Sequence, residues 1–417
     1  MRKLKRSLLK LLLKTSEPTH DWVIRKLFKV SLPHEENEII YYKIAESEDE
    51  VKQALQLVQE SYVDSQITDK YNQVYNVNKF KLSPTTTMFV AKKGDEVIAT
   101  TSQVMDTSLG LPIEQFTKID NLRLENKRIS EISGLAIKRS YRKSNGQSVY
   151  LQLVVYAVLY TKHFLGVQTL VIMTRASAKD FYRALFGFKP IDGKCKPYSG
   201  ANDTISFAQY MDLENLEINL LSLYGEKTPI NKNIYKIIKD NPWKSFCDNS
   251  PPKYNIIFNR SFNLKTIEYF FKLQSDVIQT LPSQDLQFFK FMYDDKEYQD
   301  LLGESHLKNA RSNPRFYSSM KVENSVDNHK KYNVIEISKT GFSILSKEHP
   351  NQIYGHIYLN SETPCFISAE LIWNNGGKAG YLINSVDEIQ WQKLFNWVEQ
   401  ESRNQLSPEE SQKKKAA

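Results

Sequence analysis

The residues most suited to chemistry lie between Ile129 and Ser148, in the sequence ISEISGLAIKRSYRKSNGQS. The first half predicts a β-strand that carries one acidic residue, Glu131. A short basic turn with a single glycine follows, and a strongly apolar helix is predicted from Gln147 onward. A strand, a glycine turn and a helix N-terminus can hold a phosphate with backbone N–H groups. A carboxylate on the strand can accept a proton from an attacking amine.

The bulk composition predicts a soluble protein with more than one domain. The chain has 417 residues, of which 41% are hydrophobic and 25% are charged, and this length favours two or three domains. The formal net charge of +8 permits an acidic partner without choosing one. The aromatic residues are not interleaved with a basic stripe, so we expect no nucleic-acid partner.

The cysteines and histidines do not form a recognisable ligand set. Cys195, Cys247 and Cys365 are isolated from one another, and the seven histidines never fall at ligand spacing. We therefore expect neither a disulfide framework nor a metal site. Carboxylates, amines, hydroxyls or backbone groups must supply the chemistry.

The N-terminal region, 1–38, combines a basic amphipathic segment with a connector. On a helix, the leucines of MRKLKRSLLKLLLK share one face and the lysines and arginines share another. This pattern is typical of a helix on an anionic membrane surface, and a helix packed on its own domain explains it equally well. We expect a cytoplasmic protein, with 1–14 as the candidate for peripheral contact with the inner membrane.

Region 39–213 reads as β-α-β-β-β-α-β-α-β, which predicts an α/β or α+β fold with a mixed sheet flanked by helices. Region 214–306 reads as helices and loops without alternating strands, and we interpret it as a helical connector. Its Phe, Tyr and Leu residues could cover an acyl chain, although ordinary helix packing explains them too.

Two motifs in 39–213 resemble those of the GNAT acyltransferases. The turn Lys143–Ser148 is similar to their pyrophosphate-binding turn, and the downstream segment from Phe181 to Phe188 contains their Phe-Tyr and Gly-Phe pairs. The resemblance implies that Lys143, Gly146 and Ser148 contact the phosphate of a phosphopantetheine arm.

A second set of residues resembles the N-acyl amino acid synthases, which are relatives of the acyl-homoserine-lactone synthases. The set consists of Ala99-Thr100, Asp106, Gly110-Leu111-Pro112, Phe116, Leu122-Arg123, Arg128 and Glu131-Ile132-Ser133. This resemblance implies transfer of a long-chain acyl group from acyl carrier protein, or from acyl-CoA, to the amine of an amino acid. It implies no permanently bound cofactor.

The resemblance also implies roles for individual residues. Glu131 would accept the amine proton, directly or through water, and Tyr182 would protonate the leaving thiolate. The strand segment with Leu135 and Ile137 would run beside the pantetheine and offer oxyanion N–H groups. Tyr182 could equally be a core residue.

Two further residues are candidates for binding the acceptor. Arg128 would hold its carboxylate and Asp106 its amine. Arg128 is also near enough in sequence to Glu131 to be its ion-pair partner, and Asp106 could be a turn residue.

The character of the chain changes near 307. Several short alternating strands in 307–402 predict a small antiparallel barrel capped by a terminal helix, and 403–417 is predicted to be disordered.

This barrel region resembles a PilZ domain, with Arg311 and Arg315 on the leading segment and Glu336, Ser338 and Gly341 on a strand. The resemblance implies binding of cyclic di-GMP, because paired arginines can fork onto phosphates and guanine edges. A similar barrel retained for protein contact is the alternative.

The leading interpretation is a long-chain N-acyltransferase regulated by cyclic di-GMP. One alternative is a catalytically idle scaffold that responds to the dinucleotide. The reason for this alternative is that Lys143 and Arg175 depart from the family pattern. Another is an N-acetyltransferase that uses acetyl-CoA.

Overall fold

The computed structural model describes residues 17–27, 40–68, 73–123, 127–142, 146–240, 262–293, 296–303, 316–317, 320–346, 348–358, 364–375 and 378–404. The amphipathic segment 1–14, Lys143, Arg311, Arg315 and the tail beyond 404 lie outside this part of the chain. The side chains of Gly146 and Ser148 also lie outside it.

The helices are α1 Glu17–Leu27, α2 Glu48–Asp64, α3 Lys79–Leu82, α4 Asp120–Arg123, α5 Gly146–His163, α6 Lys179–Phe186, α7 Leu216–Tyr224, α8 Ile234–Asp240, α9 Leu264–Glu268, α10 Ser283–Met292, α11 Lys296–Leu302 and α12 Glu388–Asn404. The strands are β1 Tyr41–Ile44, β2 Thr86–Lys93, β3 Glu96–Met105, β4 Ile129–Ile137, β5 Thr169–Arg175, β6 Lys189–Pro190, β7 Lys196–Tyr198, β8 Thr204–Asp212, β9 Phe316–Tyr317, β10 Lys321–Asn324, β11 Lys330–Ser338, β12 Gly341–Leu345, β13 Gln352–Tyr358, β14 Cys365–Asn375 and β15 Lys378–Val386.

The first eight strands form one mixed sheet in the order β1-β2-β3-β4-β5-β8-β6, with β7 also paired to β8. The β4–β5 pair is parallel, and the neighbouring β3–β4 and β5–β8 pairs are antiparallel. The crossover that joins this parallel pair contains α5. The predicted α/β class with helices flanking a mixed sheet is confirmed.

Local sequence explains where these elements begin and turn. Ser47 caps α2 by accepting the backbone N–H of Glu50, whose carboxylate accepts the N–H of Ser47 in return, which is a capping box. Gly94 adopts a positive φ of 58° in the predicted turn between β2 and β3, a conformation that costs glycine little.

Hydrophobic cores lie on both faces of the sheet. On one face, α2 and the helices of 262–303 pack together around Leu55, Phe270 and Phe289. On the other, α5 packs with α7 and α8 around Leu159, Leu220 and Ile237.

The helices of the predicted connector therefore belong to the same folded unit as the sheet. Phe271 and Phe289 are fully buried in the first core, and the Tyr293 hydroxyl donates to the Leu82 carbonyl oxygen at 2.7 Å. These residues pack as ordinary core side chains, which the sequence analysis left open.

The predicted N-terminal connector contains helix α1. Pro18 lies in its first turn, where a missing N–H has no intrahelical partner to lose. Asp21 accepts from Arg183 of α6 at 2.9 Å, and Arg25 donates to the Ala184 carbonyl at 3.0 Å. This pairing anchors α1 to the second core.

The C-terminal region folds as a closed antiparallel barrel, as predicted. Six strands follow one another in the order β10-β13-β14-β15-β12-β11, and pairing of β10 with β11 closes the ring. Phe395 of α12 packs edge-on against Phe316 of β9 with their ring centres 5.7 Å apart. The terminal helix thereby covers one part of the barrel core.

We expect Phe289→Ala to lower the free energy of unfolding of the sheet unit by about 3–5 kcal/mol, because it opens a cavity in a fully packed core. Urea unfolding followed by circular dichroism measures the change. Leu273→Ala is the matched control: Leu273 is 66% exposed in the same helical region, so its removal should change stability by less than about 0.5 kcal/mol. Equal effects of the two substitutions would contradict the assignment of these helices to the core.

Candidate active site

The site is organised by the separation of two central strands. Pairing of β4 with β5 runs from Ile129 opposite Thr169 to Ile132 opposite Ile172 and stops there. Both strands continue, and β5 remains paired to β8 through Arg175. Among the residues that the structure describes, no strand pairs with the backbone of 133–137 on the β5 side, so the sheet is open between β4 and β5 there.

A bulge in β4 produces this opening. The β3–β4 register shifts between Thr100 and Ser102, and Gly134 at the bulge has a φ of 64°, in the left-handed region that glycine favours. The side-chain alternation changes there: Ile129 packs in the first core before the bulge, whereas Leu135 packs against the second core after it.

A cavity of about 480 Å³ lies at this opening. Its walls include Ser133 and Gly134 of β4 and Met173 and Thr174 of β5. The volume lies within the range of about 300–1,000 Å³ that is usual for small-molecule sites. Several residues in the range 59–81 also line this cavity.

Glu131 lies on the wall of this cavity and is only 1% exposed. Its Oε2 accepts a hydrogen bond of 2.7 Å from the backbone N–H of Ile113. Burial raises the pKa of Glu131 to about 8, against the opposing effect of that N–H. A carboxyl group with such a pKa can exchange a proton near neutral pH, which general acid–base catalysis requires.

Lys81 of α3 lines the same cavity and is 4% exposed. Its Nζ donates to the Ser102 hydroxyl on β3 and lies 3.3 Å from the point that a Cβ at Gly134 would occupy. Burial lowers the pKa of Lys81 to about 7, although the Glu131 carboxylate opposes this change. The cavity thus holds a buried acid and a buried amine.

Two tyrosines complete the polar surroundings of Glu131. Burial raises the pKa of the Tyr62 hydroxyl to about 12, and the Glu131 carboxylate adds to the rise. Burial also raises the pKa of Tyr198, again with a contribution from Glu131. Both line the cavity, so phenol groups as well as charged groups face its interior.

A partly buried ion-pair network positions the loop that carries Ile113. Arg123 donates to both oxygens of Asp106, at 2.7 and 2.8 Å, and to both oxygens of Glu114, at 2.7 and 2.6 Å. Glu114 Oε2 in turn accepts the Leu111 N–H at 2.7 Å. These bonds fix the turn from which the Ile113 N–H reaches Glu131.

The glycine of this turn is required by space as well as by conformation. Gly110 has a φ of 71°, and a Cβ there would lie 2.5 Å from Glu114 Oε2. A larger residue would displace the carboxylate from Arg123.

Other predicted site residues lie away from this cavity. Arg128 donates to the Leu165 carbonyl oxygen at 3.3 Å, and Asp106 is bound to Arg123. Tyr182 is hydrogen-bonded to the Tyr150 hydroxyl and packs against the second core. Their proposed roles in acceptor binding and thiolate protonation stay predictions.

The predicted donor-binding backbone follows the bulge. Leu135 and Ile137 have side chains against the second core, and their backbone belongs to the segment of β4 that has no partner strand on the β5 side. Helix α5 begins at Gly146, so its N-terminus follows β4 as expected.

The described residues of the barrel motif form local hydrogen bonds within β11 and β12. Ser338 Oγ donates to the Gly341 carbonyl at 3.1 Å, and Ser343 Oγ donates to Glu336 Oε2 at 3.3 Å. A Cβ at Gly341 would lie 2.4 Å from the Tyr381 carbonyl oxygen, so the close approach of β15 requires glycine.

The sequence analysis did not identify Lys81, Tyr62 or Tyr198. Lys81 lies in the short segment KFKL, where its charge resembles that of any exposed loop lysine. A lysine between two buried apolar neighbours was the only available signal. The pairing of Ile113 with Glu131 has no sequence signal, because it is a backbone contact.

Glu131 should make stability depend on pH. Its pKa rises from an ordinary 4.5 to about 8 on folding, so between these values the unfolded chain ionises this group and the folded chain does not. Stability therefore falls as pH rises through this window, by up to about 1.4 kcal/mol per pH unit. Glu131→Gln removes the effect, so the variant should gain stability over the wild type from pH 5 to pH 8 in urea unfolding. A difference that is constant with pH would contradict the raised pKa.

Comparisons with known proteins agree with this geometry. The family model described as N-acyl amino acid synthase FeeM matches residues 53–209, which is less than half of the 417 residues. No curated protein sequence matches the chain significantly.

Several solved structures are similar to the sheet unit. FeeM, an N-acyl amino acid synthase from uncultured soil microbes, is 20% identical, with 45% of this chain and 98% of that chain covered and a TM-score of 0.38. The acyl-homoserine-lactone synthase LasI is 18% identical, with coverages of 45% and 96% and a TM-score of 0.32. ElaA of Escherichia coli is 16% identical, with coverages of 41% and 99% and a TM-score of 0.30.

The family match spans both the opening between β4 and β5 and the buried Glu131. The region 53–209 is therefore similar to the N-acyl amino acid synthases, which are N-acyltransferases.

Proposed function

We propose that this protein transfers a long-chain acyl group from acyl carrier protein to the amine of an amino acid, and that cyclic di-GMP bound at the C-terminal barrel regulates the transfer. The observation that carries the proposal is the buried Glu131 carboxyl group in a cavity at the opening of the sheet. The arrangement brings together a carboxyl group that can take up a proton, a cavity for the amino acid, and a strand backbone for the acyl donor that is unpaired on the β5 side.

Glu131 is the proton acceptor for the attacking amine. Its hydrogen bond to the Ile113 N–H orients one oxygen, which leaves the other oxygen available to an amine in the cavity. An amine bound as ammonium must lose a proton before its nitrogen can attack the thioester carbonyl. A base with a pKa of about 8 matches that task.

The phosphopantetheine arm of the donor runs along β4 beyond the bulge. The β5-side backbone of 133–137 supplies hydrogen-bond partners for its amides, as an added strand would. The N–H groups of this segment that border the cavity would also stabilise the oxyanion that develops from the thioester. The N-terminus of α5 then receives the phosphate.

We infer that charge on the barrel motif acts on the acyltransferase loop. Burial raises the pKa of Asp106, Arg123 opposes the rise, and the carboxylates of Glu114 and Glu336 make the smallest contributions to it. Glu336 belongs to the barrel motif, and Asp106 belongs to the network that positions Ile113. A dinucleotide that engages Glu336 would change the field at this network, which supports regulation through the Ile113 turn.

No helix in the described part of the chain has the length and apolar character of a membrane span. We propose that 1–14 contacts anionic lipid at the inner membrane, since the product of long-chain acyl transfer is itself a lipid.

We expect Glu131→Gln to lower kcat by about 10²–10⁴-fold, which is the usual contribution of a general base. The assay mixes the protein with palmitoyl-acyl carrier protein and amino acids, and mass spectrometry detects the N-acyl product. The wild-type kcat/KM should rise with pH as Glu131 ionises around pH 8, and the variant should lose this rising limb of the pH profile.

Glu217→Gln is the control, because its side chain is 54% exposed on α7. An unchanged rate in Glu131→Gln would rule out Glu131 as the base. Product from acetyl-CoA but not from the carrier-bound donor would select an N-acetyltransferase, and no transfer from either donor would select an idle scaffold.

Cyclic di-GMP should bind the barrel and alter the rate of acyl transfer. Calorimetric titration of the full chain should show saturable binding that Arg311→Ala/Arg315→Ala removes, because these side chains would supply the phosphate contacts. Initial rates with and without the dinucleotide measure regulation.

Lys321→Ala/Lys331→Ala removes the same charge from exposed barrel positions and should leave binding intact. Saturable binding that survives loss of both arginines would refute the assigned nucleotide site.

A further inference from the structure

Lys81 is a buried basic residue, and the hydrogen-bond partner that the structure shows for its side chain carries no charge. Its hydrogen-bond partner is the neutral Ser102 hydroxyl, and within the described residues no carboxylate lies within 4.0 Å of its Nζ. Burying an ammonium group without an anion is costly. Such a group in a cavity wall is suited to an anionic ligand.

The other basic residues lining the cavity differ from Lys81 in this respect. Lys79 forms an ion pair of 2.8 Å with Asp285, and Arg175 is bonded to the Ser65 carbonyl at an exposed position. Within the described lining, Lys81 therefore differs from Lys79 in having no ion-pair partner and from Arg175 in being buried.

The position of Lys81 is structurally defined. The Asn78 side chain caps α3 by accepting the Lys81 N–H at 3.1 Å, and Phe80 and Leu82 on either side are buried. Gly134 leaves room for the ammonium group beside the bulge, since a Cβ there would approach Nζ to 3.3 Å. The bulge glycine thus makes the strand opening and accommodates the cation.

Lys81 and Glu131 together form a complementary pair for a zwitterion. Both side chains line the same cavity, and the Glu131 carboxylate opposes the lowering of the Lys81 pKa. An α-amino acid presents an amine and a carboxylate on adjacent atoms, so its amine can face Glu131 while its carboxylate faces Lys81. A charge-assisted hydrogen bond would then replace the bond to Ser102.

We propose that Lys81 binds the carboxylate of the acceptor amino acid and thereby selects amino acids over amines that lack this group. The inference rests on the proposed function and assigns its acceptor site to a residue other than Arg128 and Asp106. Lys81 acts by binding, and the proton transfer remains with Glu131.

The test compares acceptors that differ only in the carboxylate. Each amino acid that the wild type acylates from palmitoyl-acyl carrier protein is paired with its methyl ester, and kcat and KM are measured for both. Lys81→Met should raise KM for the free amino acid by about 10- to 100-fold, the worth of a hydrogen bond to a charged group, and change KM for the ester by less than about 3-fold. Lys81→Arg should retain part of the preference.

Lys52→Met removes an exposed lysine from α2 and should change neither constant. Calorimetry with the same free amino acid should show weaker binding to Lys81→Met than to the wild type.

An equal loss of kcat/KM for acid and ester would refute the inference, because it would place Lys81 at the thioester oxygen or in a purely structural role. That result would leave the proposed function standing. Absence of N-acyl product from the wild type with every amino acid would refute the proposed function, and the assignment of Lys81 with it.

Discussion

The loss of pairing between β4 and β5 after Ile132 is the constraint on which the acyltransferase site depends. Central strands of a sheet normally satisfy their backbone groups through neighbouring strands, because unpaired buried groups are costly. Here the bulge at Gly134 directs β4 away from β5, and flanking cores on both faces hold the opening. The sheet therefore keeps an unpaired strand edge in its interior, next to the buried carboxyl group of Glu131.

The charged groups near this opening fall into two classes. Arg123 binds Asp106 and Glu114 through four hydrogen bonds of 2.6–2.8 Å, so each of these two carboxylates has a cationic partner. Glu131 and Lys81 are buried and are bound to a backbone N–H and a hydroxyl instead of to ions. The Arg123 network holds the turn in place. Glu131 and Lys81 remain able to bind a ligand and to exchange protons.

The helices that follow the sheet in the chain contribute both core packing and an ion pair at the cavity. Residues 262–303 complete the core on the face that contains Glu131, and Asp285 of α10 neutralises Lys79 at the cavity wall. The C-terminal barrel has its own core, and the Glu336 carboxylate makes a small contribution to the raised pKa of Asp106.

The sequence alone determined the elements and much of the family assignment. Alternation predicted the strand at the start of Ile129–Ser148 and the short strands of the barrel, because these signals are local. The same pattern placed Glu131 on a strand before the predicted phosphate-binding turn. Only the tertiary structure decided that Ile113 and Lys81 surround Glu131, that Arg123 binds Asp106, and that the helices beyond 213 belong to the sheet's cores. These contacts join segments that are distant in the chain, and whether a charged side chain is buried or solvated depends on that packing.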